Sequence, residues 1–473
     1  MTVLESDLLA GYPPEVEVPA PEVAASVAAA GRTLVVLDDD PTGTQSVADL
    51  PVLTRWASED FAWAFAQRAP AVYVLTNTRS LDPDEAEQRN REVVRNALAA
   101  AGGAEIGFVS RSDSTLRGHF PLEPEVIAQE LERARGVRTD AVVVVPAFPD
   151  AGRVTIGGTH YVRDGAGGLV PVAETEFARD ATFGYTRSRL AEYVAEKSGG
   201  RYPAEAVIVL DLAVVRGGAG AIADALAPAT GGVPAVADVV TENDLRALAL
   251  GLAEAERRGK NLLYRVGPPF VRGRIGQEAR APLTAEEAFA GRPPGAGGGL
   301  VVIGSHVGLT TRQLEALLAG HPAARVVELQ VDELLRGAPL EPVVADVVAG
   351  LAHGDVVLHT SRALVRGGSA AESLRIARTV SAGLVDVVRG TIARRRPRFV
   401  VAKGGITSSD VASEGLGIRH AIVRGPMLPG IVSLWEPVGG PAAGIPYVVF
   451  PGNVGDERSL LAVVRVLTST VRA

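Results

Sequence analysis

The chain has 473 residues, 47% of them hydrophobic and 22% charged, so it carries enough apolar surface to fold and is not a disordered protein. Its net charge of −8 gives no basic field for nucleic acid, and the absence of cysteine excludes disulfides, thiolate metal sites and thiol nucleophiles. No run of 18 apolar residues suggests a membrane span, and the acidic, Pro-broken start is unlike a signal peptide, so a cytoplasmic, two-lobed protein is expected.

Residues 1–30 read as a weakly structured N-terminal arm. Short aliphatic runs then recur at Thr33–Leu37, Ala71–Leu75, Ile106–Val109, Ala141–Val145, Ala206–Leu210 and Asn261–Tyr264. Uninterrupted aliphatic runs of this length suit strands buried on both faces of a parallel sheet. Helical patterns fall between them, at Pro83–Ala100 and Glu242–Arg258, the latter opening with a capping signal at Thr241 and Asp244. Residues 291–299, with five Gly and two Pro, read as a linker. The rhythm then restarts with strands at Leu300–Ile303, Val326–Leu329, Val356–His359 and Phe399–Ala402, and helices from Thr310 and near Ala370–Arg389. The expectation is two α/β domains with largely parallel sheets, residues 31–290 and 300–473, and an active site in the cleft between them.

Polar clusters sit where these strands end, which is where open α/β sheets bind ligands. The first is Asp38-Asp39-Asp40-Pro41-Thr42-Gly43-Thr44-Gln45. Adjacent carboxylates repel, so they need a cation, basic side chains or backbone donors, and they exceed what helix capping requires. The second is Ser110-Arg111-Ser112-Asp113-Ser114-Thr115-Leu116-Arg117-Gly118-His119. Its arginines suit a carboxylate and its hydroxyls and acid suit sugar hydroxyls, although a capped turn with a surface ion pair is the plainer alternative. Asn77-Thr78-Arg79-Ser80 and the Pro-stiffened Pro146–Arg153 loop follow two further strands. Four such loops together favour a small-molecule site. In the second half Gly304–Thr311, Ala402–Ser409 and Pro451–Asp456 each place glycines between a strand and a polar or helical start, a grammar that suits phosphate. Any one of them alone could be a tight connection.

Absences narrow the chemistry. There is no GxxxxGK[ST], no GxGxxG after a strand and no GxSxG around Ser305. The seven histidines show no zinc spacing.

With these motifs in order, the chain resembles the four-carbon acid sugar kinase family, with an N-terminal sugar-binding and a C-terminal nucleotide-binding domain. The matching pieces are Asp39-Asp40-Pro41-Thr42-Gly43, Asp113-Ser114-Thr115-Leu116-Arg117-Gly118, Pro146–Arg153, Glu174–Asp180, Gly304-Ser305 with Thr311-Arg312-Gln313, Gly404-Gly405 and Gly452-Asn453. The resemblance implies ATP- and Mg²⁺-dependent phosphorylation of a hydroxyl on a tetronate, 3-oxo-tetronate or 3-oxo-isoapionate-like acid. It implies that the acid meets Asp39, Asp40, Arg79, Arg111, Asp113, Ser114, Arg117 and Arg153. It implies that ATP meets Ser305, Thr360, Ser361, Gly404, Gly405, Ile406, Thr407 and Gly452, with Lys403 placed to offset charge. Arg111 departs from the lysine many members carry, and Ile406 from a common acidic residue. Asp39 is the expected catalytic base, with Asp113 as the alternative; the metal ligands are left open, and a homodimer is the default assembly. A non-kinase sugar-acid enzyme and a non-catalytic sugar-acid or nucleotide sensor are the competing functions.

Overall fold

The computed structural model describes residues 3–164, 167–293, 295–362 and 370–469. It divides into two units: residues 1–43 with 56–279, and residues 44–55 with 280–473.

The first unit is built on seven parallel strands in the spatial order Ile208–Leu210, Val233–Ala237, Ala141–Val145, Leu262–Val266, Ile106–Arg111, Thr33–Asp38, Ala71–Leu75. Burial of the aliphatic runs on both faces explains why they lack polar alternation, for Ala71–Leu75 and Ala141–Val145 are buried throughout. The helix Glu242–Arg257 starts with the capping box expected at Thr241 and Asp244. Leaving Thr33–Asp38, the chain turns first to Ala71–Leu75 on one side and later to Ile106–Arg111 on the other. That reversal opens a crevice beyond the carboxyl ends of the two strands, where the Asp38–Gly43 and Ser112–Gly118 loops emerge.

A separate antiparallel sheet in this unit, Val3–Leu4, Gly168–Pro171, Thr159–Arg163 and Arg153–Ile156, is not foreseen from sequence. It also corrects the weakly structured arm. Val3–Leu4 pairs with Leu169 and Gly168, Glu5 holds Arg163 through two 2.7 Å bonds, and Ala20–Ala30 is a helix.

The second unit has five parallel strands, in the order Arg325–Leu329, Val356–Thr360, Leu300–Ile303, Val400–Lys403, Tyr447–Phe450, extended by antiparallel Val432–Val438, His420–Leu428 and Leu50–Leu53. Here the order reverses between Leu300–Ile303 and Val400–Lys403, so the Gly304 and Gly404 loops flank its switch point. Its core joins Val301, Ile303, Phe399, Val401, Val448 and Phe450.

Unit boundaries depart from the expected ones for identifiable reasons. Residues 44–55 belong to the second unit because Leu50–Leu53 pairs with Val423–His420. Arg280 belongs there too, donating to Arg424 O at 2.7 Å and pairing with Asp49 at 3.2 Å. The supposed linker is not loose at its end: Gly298 N–H donates to Leu351 O, Gly299 N–H donates to Asp355, and Gly299 lies against the Phe399 ring, where a side chain would collide. Pro294 of that stretch lies outside the described residues. No helix among the described residues is long and apolar enough to cross a membrane.

Candidate functional site

In the first unit the switch-point crevice gathers the acidic and basic residues singled out in the sequence. Asp38 ends its strand fully buried and is paired with Arg111, itself only 1% exposed at the end of the neighbouring strand. Arg111 also donates to the carbonyls of Asp40 and Ser112. Its guanidinium thus braces the acidic loop from beneath. Gly43 closes over this pair so tightly that a methyl group there would strike both side chains.

Asp39 and Asp40 face Arg79. The Arg79 guanidinium grips Asp39 through Nη2 at 2.6 Å and Nε at 3.2 Å, and reaches Asp40 at 3.4 Å. Asp40 is further fixed by the amide and hydroxyl of Thr42, at 2.9 and 2.5 Å. Burial pushes the Asp39 carboxyl above its ordinary value, a push that Arg79 and Arg111 only partly offset. Burial also pushes Asp38 up, to about 8. For Asp40 the two arginines and the Thr42 bonds outweigh burial and hold the carboxyl down.

On the opposite loop Asp113 accepts from Arg117 Nε at 2.7 Å and from the Thr115 hydroxyl. Although burial opposes it, Arg79 and Arg117 keep Asp113 well below the usual carboxylate range. The two candidate bases therefore differ: Asp39 is shifted toward holding a proton, Asp113 toward permanent charge. Arg117 and Arg153 both lie over the Phe177 ring, at 5.4 and 5.9 Å. Arg153 has no ion pair among the described residues, its buried Nε lacks a hydrogen-bond partner, and burial lowers its pKa. A desolvated guanidinium with a free donor is a receptor for an anion, and its planar fork matches a carboxylate. The Ser114 side chain is buried, while its carbonyl accepts a bond from His160 Nε2 at 2.8 Å.

Sequence reasoning missed the residues behind these loops. Arg265 donates to Ser110 at 2.7 Å and to Glu123, whose other oxygen takes the Thr78 hydroxyl at 2.5 Å. Gly118, at φ +125°, approaches this cluster closely, since a methyl group there would stand 2.7 Å from Arg265 Nη2 and 3.0 Å from Asp39 Oδ2. The aromatic donors Tyr185 and Tyr193 also reach the loop. No motif spacing marks Arg265, Glu123, Tyr185 or Tyr193, although Gly118, Ser110 and Thr78 belong to the clusters read from the sequence.

In the second unit three glycine turns converge. A methyl group on Gly452 would stand 2.9 Å from Ser305 Oγ, one on Gly404 would stand 3.1 Å from Ser305 Cβ and 3.0 Å from Thr407 Oγ1, and one on Gly304 would strike Thr407. Ser305, Thr407, Gly404 and Gly452 are thus brought together at the head of the helix Gly308–Gly320, beside Gly405 and Ile406. Ile406 is 56% exposed and Val307 47%, two apolar side chains left uncovered at this edge. Lys403 lies beneath. It is fully buried, donates to Pro451 O at 2.5 Å and Gly452 O at 3.3 Å, and stands 4.1 Å over the Phe450 ring. It has no carboxylate partner among the described residues, and burial lowers its pKa to about 7. Thr360 ends the strand Val356–Thr360 on the other side of Leu300–Ile303, its buried hydroxyl without a partner among the described residues, and the hydroxyl of the following Ser361 is taken up by Leu329, Gln330 and Val331. The next residue, Arg362, was not anticipated. Its Nη2 donates to Thr311 at 2.8 Å, while its buried Nε and Nη1 have no partner among the described residues. Free guanidinium donors beside a helix start and glycine turns suit an anion such as phosphate.

These features define a two-domain α/β protein with an Asp- and Arg-rich cluster at the switch point of one domain and converging glycine turns at the switch point of the other. A family model for a sugar-binding N-terminal domain matches residues 34–274, and one for a nucleotide-binding C-terminal domain matches residues 300–460. The chain belongs to the four-carbon acid sugar kinase family. Among curated proteins it is 30% identical over 292 residues to a D-erythronate kinase of Heliobacterium modesticaldum, covering 60% of each chain. It is 28% identical over 341 residues to a D-threonate kinase of Salmonella typhimurium, covering 70% of this chain and 72% of that one. The matched region thus spans 60% of the length of the D-erythronate kinase. A solved structure from Haemophilus influenzae shares the fold with TM-score 0.62 and 18% identity, over 92% of this chain and all of that one. One from Salmonella typhimurium LT2 does so at 0.64 and 19%, over 91% and 98%.

Proposed function

We propose that the protein transfers the γ-phosphoryl group of ATP to a hydroxyl of a four-carbon sugar acid. The observation that carries this reading is the pairing, at the switch point of the sugar-binding domain, of two oppositely tuned carboxylates with guanidinium donors left free. Arg153, assisted by Arg117, takes the substrate carboxylate; Asp113, held charged, accepts bonds from substrate hydroxyls; Arg79 and Asp40 frame the other wall. Arg111 serves as a brace beneath the acidic loop. The attacking hydroxyl oxygen forms the new O–P bond, the bond from the γ-phosphorus to the bridging oxygen breaks, ADP departs, and the hydroxyl proton passes to Asp39, whose raised pKa suits a proton acceptor.

Nucleotide phosphates lie on Ser305, Gly404, Gly405, Thr407 and Gly452, with the free donors of Arg362 neutralising charge and Ile406 and Val307 offering apolar contact. Lys403 positions the Pro451–Gly452 turn from below. Thr360 and Ser361 support the neighbouring strand end. Among the described residues no group of three or more His, Asp or Glu is disposed to hold a metal. Magnesium would enter on the nucleotide phosphates, as this ion commonly does, keeping most of its waters.

The test is release of ADP from ATP and Mg²⁺ with D-erythronate, D-threonate and their 3-oxo and branched analogues. Acid-dependent turnover is expected with at least one of them, and Asp39→Asn should lower it at least about 10²-fold, the scale of a general base. Absence of acid-dependent ADP release across that panel refutes the kinase reading. Turnover by Asp39→Asn within threefold of wild type removes Asp39 from the base role.

A further inference from the structure

The Ser112–Gly118 loop contributes two of the proposed site's side chains, Asp113 and Arg117, and little of its internal bonding is backbone to backbone. Leu116 is a non-glycine residue at φ +68°, a left-handed conformation that branched-chain and bulky residues adopt reluctantly. Within the loop one backbone–backbone bond ties the turn, from Leu116 N–H to Asp113 O at 3.2 Å, beside the Ser112 hydroxyl donating to Arg117 O at 3.1 Å and the bonds from Thr115 and Arg117 to the Asp113 carboxylate. Three consecutive carbonyls, however, are each met by a buried side-chain donor from outside. His160 Nε2 reaches Ser114 O at 2.8 Å, the Tyr185 hydroxyl reaches Thr115 O at 2.7 Å, and the Tyr193 hydroxyl reaches Leu116 O at 2.9 Å.

All three donors are preset. His160 is wholly buried, and its Nδ1 lies 2.9 Å from the Thr155 hydroxyl, which leaves Nε2–H to face Ser114 O when the threonine donates. Burial pushes both tyrosines well above their ordinary pKa, so each keeps its proton. Their rings pack edge to face at 5.6 Å, and Tyr193 stacks on Phe120 at 5.8 Å. His160 sits on the strand Thr159–Arg163, Tyr185 on the loop before the helix Leu190–Lys197 and Tyr193 on that helix. The neighbouring strand Arg153–Ile156 pairs Thr155 with His160 and begins at Arg153. The small antiparallel sheet thus carries Arg153 and His160, and together with the loop and helix that follow it grips the loop bearing Asp113 and Arg117.

We propose that His160, Tyr185 and Tyr193 are positioning residues, a three-point clamp that sets Asp113 and Arg117 for the sugar acid without touching it. The kinetic half of this proposal rests on the kinase reading above; the structural half does not. The variants are Tyr185→Phe, Tyr193→Phe, His160→Leu and the donor-retaining His160→Gln, each in the full chain. Hydrogen exchange at the Leu116 amide should accelerate about tenfold in the first three, the scale of one lost hydrogen bond, with sheet amides unchanged. KM for the sugar acid should rise about tenfold while KM for ATP stays within twofold, and His160→Gln should recover most of both effects. Unchanged exchange at Leu116 overturns the clamp. Accelerated exchange with an unchanged sugar-acid KM, or with both KM values rising together, overturns its positioning role. A wild type without acid-dependent turnover sinks the kinase reading instead, and exchange alone then decides the clamp.

Discussion

His160 makes the stability of the sugar-binding domain sensitive to acid, and the size of the effect follows from its burial. Burial lowers its pKa from 6.5 to about 4, with the donors and charges around it making smaller contributions. As pH falls below 6.5 the unfolded chain takes up a proton at this imidazole that the folded chain refuses. Stability is therefore present above pH 6.5 and is lost as pH falls toward 4. At about 1.4 kcal/mol per pKa unit the full loss is about 3 kcal/mol, of which about 2 kcal/mol has accrued by pH 5. Asp238 works in the opposite direction over nearly the same window. Burial raises it to about 6, above the pull of the Gly158, Gly157 and Leu212 amides, so the folded state gains from protonation there. A wild-type curve alone would mix the two. The informative quantity is the difference between wild type and His160→Gln, in which Asp238 cancels. Urea unfolding followed by tryptophan fluorescence measures it, in a shared Trp435→Phe background, so that Trp56 and Trp63 report on the first unit alone. The advantage of wild type over the variant should shrink by about 2 kcal/mol between pH 8 and pH 5. A difference that stays constant within about 0.5 kcal/mol over that range would refute a neutral, unprotonated His160 beneath the loop.

Two further outcomes test the ligand-facing groups. Arg153→Ala should raise KM for the sugar acid roughly 10- to 100-fold, the worth of a charge-assisted bond, with no change in KM for ATP. Because Arg153 makes no ion pair among the described residues, the melting temperature should hold; a large drop would mean the side chain is structural. Gly452→Ala drives a methyl group to 2.9 Å from Ser305 Oγ and should weaken nucleotide binding. For wild type, ADP and Mg²⁺ at a hundred times the dissociation constant stabilise by about 2.7 kcal/mol, a shift of a few degrees, which the variant should lose. An undiminished shift would place the nucleotide elsewhere.

Much of this architecture is legible because parallel strands buried on both faces leave an unambiguous mark. AVYVL and AVVVV have no solvent side to encode, and the observed strands coincide with those runs. The capping signal at Thr241 is equally local, needing only a hydroxyl and a carboxylate three residues apart. The small sheet is opaque for the converse reason. RVTI and THYVR are short and mixed, since one face packs on the core and the other serves the site, and neither differs from a polar loop in composition. Leu50–Leu53 holds a proline, and the hairpin from His420 to Val438 shifts register near Gly425, so pairing rather than propensity creates those strands. Among site residues, the loops at strand ends were visible as motifs. The donors behind them were not, because His160, Tyr185 and Tyr193 act through backbone carbonyls that any sequence supplies.

The same distinction sorts the basic residues, which look alike in sequence. Arg111 and Lys403 stand in the most motif-like positions, each at the end of a central strand, yet both are buried with their donors committed. Arg111 is spent on Asp38 and two carbonyls, Lys403 on Pro451 and Gly452. Removing either would leave its partners unsatisfied, so each is expected to act on loop geometry. Arg153 and Arg362 instead hold buried guanidinium donors that no described residue occupies. A buried cationic donor without a partner is a standing cost in the free protein, and an incoming anion removes it. Arg246, Arg274 and Arg398 also carry a buried Nε without a partner, but each holds a carboxylate. Among the described residues Arg153 and Arg362, one in each unit, combine unsatisfied buried donors with no ion pair, which is why they are the proposed receivers of the carboxylate and the phosphates.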